Sequence, residues 1–161
     1  MIKEKIVFIL GAGASRAYGY PSGPELVEKI GNALQTKNNK TREIASALSA
    51  EHDNARDLDC IEKKVVEFRD KLIGSKKSTI DSFLERNKSF ISIGKLAIAQ
   101  ALIPCEEMGR LNSFNDNNWY RELYELMDAP FEDFDKNGCK FITFNYDRSL
   151  DYFLFDAVRN S

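Results

Sequence analysis

The chain is poor in the residues that most often carry chemistry on their own. It has one histidine, one tryptophan and three cysteines in 161 residues. The histidine, His52, sits in a polar stretch beside Glu51, Asp53 and Asn54, and reads as a surface loop or helix-end position without a visible catalytic partner. Cys60, Cys105 and Cys139 are odd in number and far apart, with none of the close spacing of a zinc knuckle or a redox pair. They read as reduced thiols partly in the core, and no metal site is expected. No apolar run approaches the ~20 residues of a membrane span. Lys3, Glu4 and Lys5 precede an apolar run that is too short for a signal peptide. There is also no excess of one charge: 23 Lys and Arg stand against 25 Asp and Glu. A protein that grips nucleic acid usually concentrates basic residues on one face, so nucleic acid is not an expected partner. What these absences leave is a cytoplasmic protein with no membrane partner, whose 43% hydrophobic content is enough for an ordinary core.

What is present begins with Ile6 to Leu10, a continuous apolar, β-branched run that suits a strand buried on both faces, as in parallel sheets. It stops abruptly in Gly11-Ala12-Gly13-Ala14-Ser15, and a second turn signal follows at Gly19 to Pro24. Pro24 suits the start of a helix capped near Ser22 or Gly23, and Leu26, Val27, Ile30 and Leu34 then recur at helical spacing. The middle of the chain reads as helices. Thr41 to Ala50 is short and alanine-rich; Leu58, Ile61, Val65, Phe68 and Leu72 line one face; Ser78 or Thr79 caps a short helix with Ile80 and Phe83; Phe90 to Ile103 ends at Pro104. After a polar turn around Asn112 to Asn118, Trp119, Leu123, Leu126 and Met127 mark a further helix whose aromatic and methionine stripe reads as core. Cys139 to Phe144 is the second clear strand, running into Asn145-Tyr146-Asp147 and a helix with Leu150, Phe153, Leu154 and Val158. The expected fold class is α/β: a Rossmann-like parallel sheet, of which only two strands are clear here, with a large helical insertion at about 24–135 in a single domain over 1–161.

Two strand-to-helix junctions carry unusual polar chemistry. In open parallel sheets, ligands bind at the carboxyl ends of the strands, so neighbouring strands would face both loops into one pocket. A strand that stops in Gly-x-Gly offers backbone N–H groups to an anion, because glycine permits positive φ and close approach, and a following helix start adds unpaired donors. Gly11, Gly13 and Ser15 therefore suit a dinucleotide diphosphate. The usual dehydrogenase fingerprint fails at its third position, occupied by Arg16, and no Gly-Lys-Ser/Thr follows, so the Walker pattern fails too. A tight structural turn is the alternative for this loop. For Asn145 and Asp147 the alternative is capping of the next helix.

Taken together, the two motifs resemble the sirtuin-like family. Gly11-Ala12-Gly13-Ala14-Ser15 matches its Gly-Ala-Gly-x-Ser, and Thr143, Asn145 and Asp147 match its Thr-x-Asn-x-Asp, in the right order. Gly19-Tyr20-Pro21-Ser22-Gly23 resembles the variant loop of bacterial sirtuin-like defence proteins and lacks the Asp and Arg of the deacylase version; Ile80 to Leu84 and Ile93 to Ala99 look like the helical insert of those proteins. The resemblance implies an NAD-binding domain, and an NAD glycohydrolase of the anti-phage kind that releases nicotinamide and ADP-ribose. Gly11, Ala12, Gly13 and Ser15 would hold the diphosphate and adjoining ribose of NAD. Asn145 would position the nicotinamide ribose and a water, Asp147 would bond to the carboxamide, and these two are the expected catalytic residues. Thr143 belongs to the same binding motif. Arg16 is either a phosphate partner or a solvated helix residue. A non-catalytic module that senses NAD or ADP-ribose, and a protein deacylase, are the alternative functions.

The family's catalytic base is a histidine that follows the second motif, and none lies between Asp147 and Ser161. Two strands also make a poor sheet. The expectation is a C-terminally incomplete domain, whose partners besides NAD are a further C-terminal segment or a second copy in a homo-oligomer.

Overall fold

The computed structural model describes residues 1–50, 58–106, 111 and 118–160. His52 and the polar turn over residues 112–117 lie outside them. The protein is mixed α/β, and its described strands form one two-stranded parallel sheet. The chain forms two compact units, one of Met1–Tyr20 with Cys105–Ser161 and one of Pro21–Pro104. The expected helical insertion at about 24–135 thus differs from the helical unit: residues from Cys105 onward group with the sheet.

In the sheet unit, β-branched and aromatic side chains build β1 (Ile6–Leu10) and β2 (Cys139–Thr143), paired in parallel from Ile6 opposite Cys139 to Leu10 opposite Thr143. Phe8 and Phe141, opposite each other, stack with ring centroids 5.2 Å apart. The entry to β2 needs a glycine for a steric reason: a Cβ on Gly138 would lie 2.3 Å from the Glu4 carbonyl oxygen. The Gly138 N–H donates to Ile2 O at 2.7 Å, and the Ile6 N–H donates to Gly138 O at 3.1 Å. Beside it, Asn137 Oδ1 accepts from the Ile2 N–H, while Nδ2 donates to Met127 O and Phe134 O. These bonds set the register in which the two strands end together.

The expectation of a strand buried on both faces does not hold for β1. Side chains alternate along strands, so Val7, Ile9 and Ile142 share one face; they are 55%, 69% and 48% exposed. Leu10, on the other face, is buried. A continuous apolar run signals strand without revealing whether anything lies over each face.

The seven described α-helices are α1 (Gly23–Ala33), α2 (Asn39–Ala50), α3 (Leu58–Gly74), α4 (Ile80–Leu84), α5 (Ile91–Leu102), α6 (Trp119–Leu126) and α7 (Ser149–Arg159). The first five make up the helical unit. Ser22 caps α1, with Glu25 accepting the Ser22 N–H at 2.7 Å, so Pro24 stands second in the helix, where its missing N–H costs nothing. On α3, Ile61, Val65, Phe68 and Leu72 are buried, whereas Leu58 is exposed. Phe68, Phe83 and Phe90 form an aromatic cluster with centroids 5.8–6.3 Å apart. In the sheet unit, α7 buries Phe153 against Tyr120 and Tyr124 of α6. The inward ring on α6 is thus Tyr120, while Leu126, expected in its apolar stripe, is 64% exposed. No described helix is long and apolar enough to cross a membrane.

Candidate functional site

The strand register determines where the chemistry goes. Leu10 and Thr143 pair at the carboxyl ends of β1 and β2, and the Phe144 N–H still donates to Leu10 O at 3.0 Å. The loops that leave the two strands therefore start side by side. The first passes at once into a 3₁₀ turn, Ala12–Tyr18, with the Ala14 N–H bonded to Gly11 O. Gly19 closes that turn with φ 87°, the left-handed conformation that favours glycine. The second loop holds Asn145 and Asp147 and leads into α7.

Ser15 ties the loops together. It is fully buried, and its hydroxyl donates to Asp147 Oδ1 at 3.1 Å and accepts from Asn145 Nδ2 at 2.9 Å. Thr143 stands at the end of β2, where its Oγ1 accepts the Asn145 N–H at 3.1 Å and so fixes the turn. The structure therefore brings Ser15, Thr143, Asn145 and Asp147 into one cluster. The Ser15 hydroxyl, expected beside a diphosphate, is turned inward to the two loop residues.

Gly11 and Gly13 are exposed, and a Cβ at either would meet nothing within 4 Å. Gly11 is extended, with φ −116°, and the described glycine with positive φ is Gly19. The use of these glycines is thus open space above the main chain, not an unusual backbone conformation. The first turn of a 3₁₀ helix leaves its leading N–H groups, here those of Ala12 and Gly13, without intrahelical acceptors. Arg16 is exposed in the last turn of the same element.

Several residues that sequence reasoning passed over hold the cluster. Ser149, buried at the start of α7, donates both its N–H (3.1 Å) and its hydroxyl to Asp147 Oδ1. Tyr120 OH lies 2.7 Å from Ser149 Oγ. Tyr18 stacks on Tyr120 at 4.1 Å; its hydroxyl accepts the Tyr120 N–H and donates to Asn118 Oδ1, both at 3.0 Å. Trp119 Nε1 donates to Ala14 O at 2.8 Å. The start of α6 thus grips the glycine-loop turn at three points. Of the stripe read as core, Leu123 and Met127 are buried, Leu126 is exposed and Trp119 is half-buried, its indole N–H bonded to the glycine-loop turn. Ser149 could have been found two residues after Asp147 as a local polar partner; nothing in the sequence links Tyr120 to a loop more than 100 positions away.

Burial raises the phenol pKa of Tyr18 and Tyr120, and that of Tyr20 to about 12; for Tyr20 the Asp147 carboxylate adds to burial. Among the described residues, one buried polar side-chain atom of the cluster lacks a hydrogen-bond partner: Asn145 Oδ1. Buried carbonyl oxygens of this kind normally find a donor. A cavity of about 780 Å³ opens beside Ser149, walled by Tyr20, Arg148, Tyr152 and Phe155 among others. Ser149 is the member of the cluster that lines it; residues 11–15, Thr143, Asn145 and Asp147 do not. Arg148 pairs with Asp151 at 3.4 Å, but both side chains are mostly exposed. Among the described residues no group of three or more His, Cys, Asp or Glu is arranged to hold a metal ion; Cys60 is exposed, Cys105 buried and Cys139 half-buried, none of them in a disulfide. No family model, curated protein or solved structure matches the chain.

Proposed function

We propose that the chain is a sirtuin-like NAD-binding domain of Rossmann-like architecture, acting in an NAD glycohydrolase of the bacterial anti-phage kind. The observation that carries the reading is the Ser15 hydroxyl, bonded to Asn145 across 130 positions and to Asp147 across 132. Two motifs matched separately in the sequence share one side chain in space, at the strand ends where α/β sheets bind ligands. Gly11, Ala12 and Gly13 receive the diphosphate with backbone N–H groups and the open space above them. Ser15 supports this from below by holding the second loop. The unbonded Asn145 Oδ1 meets the nicotinamide ribose and orients a water, and Asp147 accepts from the carboxamide. Cleavage of the nicotinamide–ribose bond passes through an oxocarbenium-like state, and fixed acceptors beside that ribose favour the developing positive charge.

The test is nicotinamide release from NAD by the full chain, with Asn145→Ala in parallel. The expected result is release that falls by about a hundredfold or more in the variant. NAD binding without release would favour the second reading, a module that senses NAD or ADP-ribose. One observation speaks for that reading. The described ionisable groups of the cluster are one carboxylate and tyrosines whose phenols burial keeps protonated, with no imidazole among them.

A further inference from the structure

Asp147 is held by one of its two oxygens. Oδ1 receives the Ser15 hydroxyl, the Ser149 N–H and the Ser149 hydroxyl, while among the described residues none donates to Oδ2. Proton counting fixes the direction of every bond in the cluster. A hydroxyl carries a single proton. Ser149 gives its proton to Asp147, so its oxygen takes the proton of Tyr120, 2.7 Å away. Ser15 likewise gives its proton to Asp147, so its oxygen accepts from Asn145 Nδ2. The longer approach of Ser149 Oγ to Ser15 Oγ, 3.4 Å, competes for a proton already committed to a carboxylate. With Nδ2 turned to Ser15, Asn145 presents Oδ1 on its other side. Tyr120 can sustain this order because its ring is 1% exposed and clamped on Tyr18, which leaves its hydroxyl little freedom.

We infer that Ser149 and Tyr120 are positioning residues: together they saturate Asp147 Oδ1 and so present Asp147 Oδ2 and Asn145 Oδ1 as a pair of acceptors. Such a pair selects a group that brings N–H or O–H donors, a primary carboxamide or a sugar hydroxyl, and disfavours a carboxylate in the same place. The inference rests on the NAD reading for its ligand and adds to it the origin of discrimination at the pyridine end. Without the Ser149 hydroxyl, Oδ1 regains a lone pair, the carboxylate can rotate, and the Tyr120 proton loses its acceptor.

The experiment measures the affinity of the full chain for NAD and for its nicotinic-acid analogue, in which a carboxylate replaces the carboxamide. Wild type, Ser149→Ala, Ser149→Thr and Tyr120→Phe are compared. Wild type is expected to prefer NAD by about tenfold or more, the worth of a hydrogen bond to a charged group. The preference is expected to shrink toward unity in Ser149→Ala, to fall several-fold in Tyr120→Phe, and to survive in Ser149→Thr, which keeps a hydroxyl. Tyr120→Phe keeps the ring stack and carries the test if Ser149→Ala does not fold. Variants that weaken both dinucleotides equally, with the ratio unchanged, would show that these residues only hold the fold and would overturn the inference alone. Wild type that binds neither dinucleotide would overturn the NAD reading and this inference with it.

Discussion

Ser15 carries two strong hydrogen bonds between loops that the sequence places far apart, and it does so with no exposed surface. Ser15→Ala strands the Asn145 amide and removes one of three donors from Asp147. A loss of about 1–3 kcal/mol in stability is expected from urea unfolding, the usual cost of an unpartnered buried polar group. An unchanged midpoint would mean the loops do not depend on that hydroxyl. Tyr20 gives a second residue-scale check. Its phenol is raised from 10.0 to about 12 by burial and by Asp147. A group whose folded pKa is raised contributes stability that is complete below the unfolded value and is lost as pH rises to the folded one. Between pH 10 and about 12, wild type is therefore expected to lose stability faster than Tyr20→Phe. Parallel pH profiles for the two would contradict the buried, carboxylate-facing position of this ring.

Among the elements, β2 depends on how closely the chain approaches Gly138. A methyl group there would meet the Glu4 backbone, which cannot move without parting the strands. Gly138→Ala is expected to cost about 1–3 kcal/mol or more. Gly74→Ala, where a Cβ meets nothing at the end of α3, is expected to be neutral or stabilising by up to about 1 kcal/mol. Equal effects at the two positions would remove the steric argument for the register. The strands and most helices were legible in the sequence because local patterns define them: an apolar β-branched run for β1, stripes at three and four for α3, a proline just after a capping Ser22 or Gly23 for α1. The burial of each face was not legible. Val7 and Ile9 read as buried and are exposed; Tyr120 went unnoticed and is buried, since which face of a helix is covered depends on its neighbours and not on its own spacing. Ile9→Lys, placed on the open face, is accordingly expected to shift stability by less than about 0.5 kcal/mol in a thermal melt, while Leu10→Lys is expected to unfold the sheet unit.

For the whole molecule, the two motifs read from the sequence lie side by side in space, and parallel pairing at Leu10 and Thr143 explains why: ends of adjacent parallel strands must emerge together. What those motifs left out is the support. Ser149, Tyr120, Tyr18 and Trp119 reach the cluster through contacts spanning up to 134 positions, and no local rule connects residues so distant in sequence. The inward turn of Ser15 belongs to the same class, because a hydroxyl in a glycine-rich loop serves a ligand or a neighbouring loop equally well until the second loop is in place. The most direct measurement is a titration of the ¹⁵N-labelled chain with NAD, followed by amide shifts. Binding at the joined loops requires saturable changes at both Gly11 to Ser15 and Asn145 to Ser149, absent in Asn145→Ala. Millimolar NAD that leaves both segments unmoved, or that shifts only residues elsewhere, would contradict it.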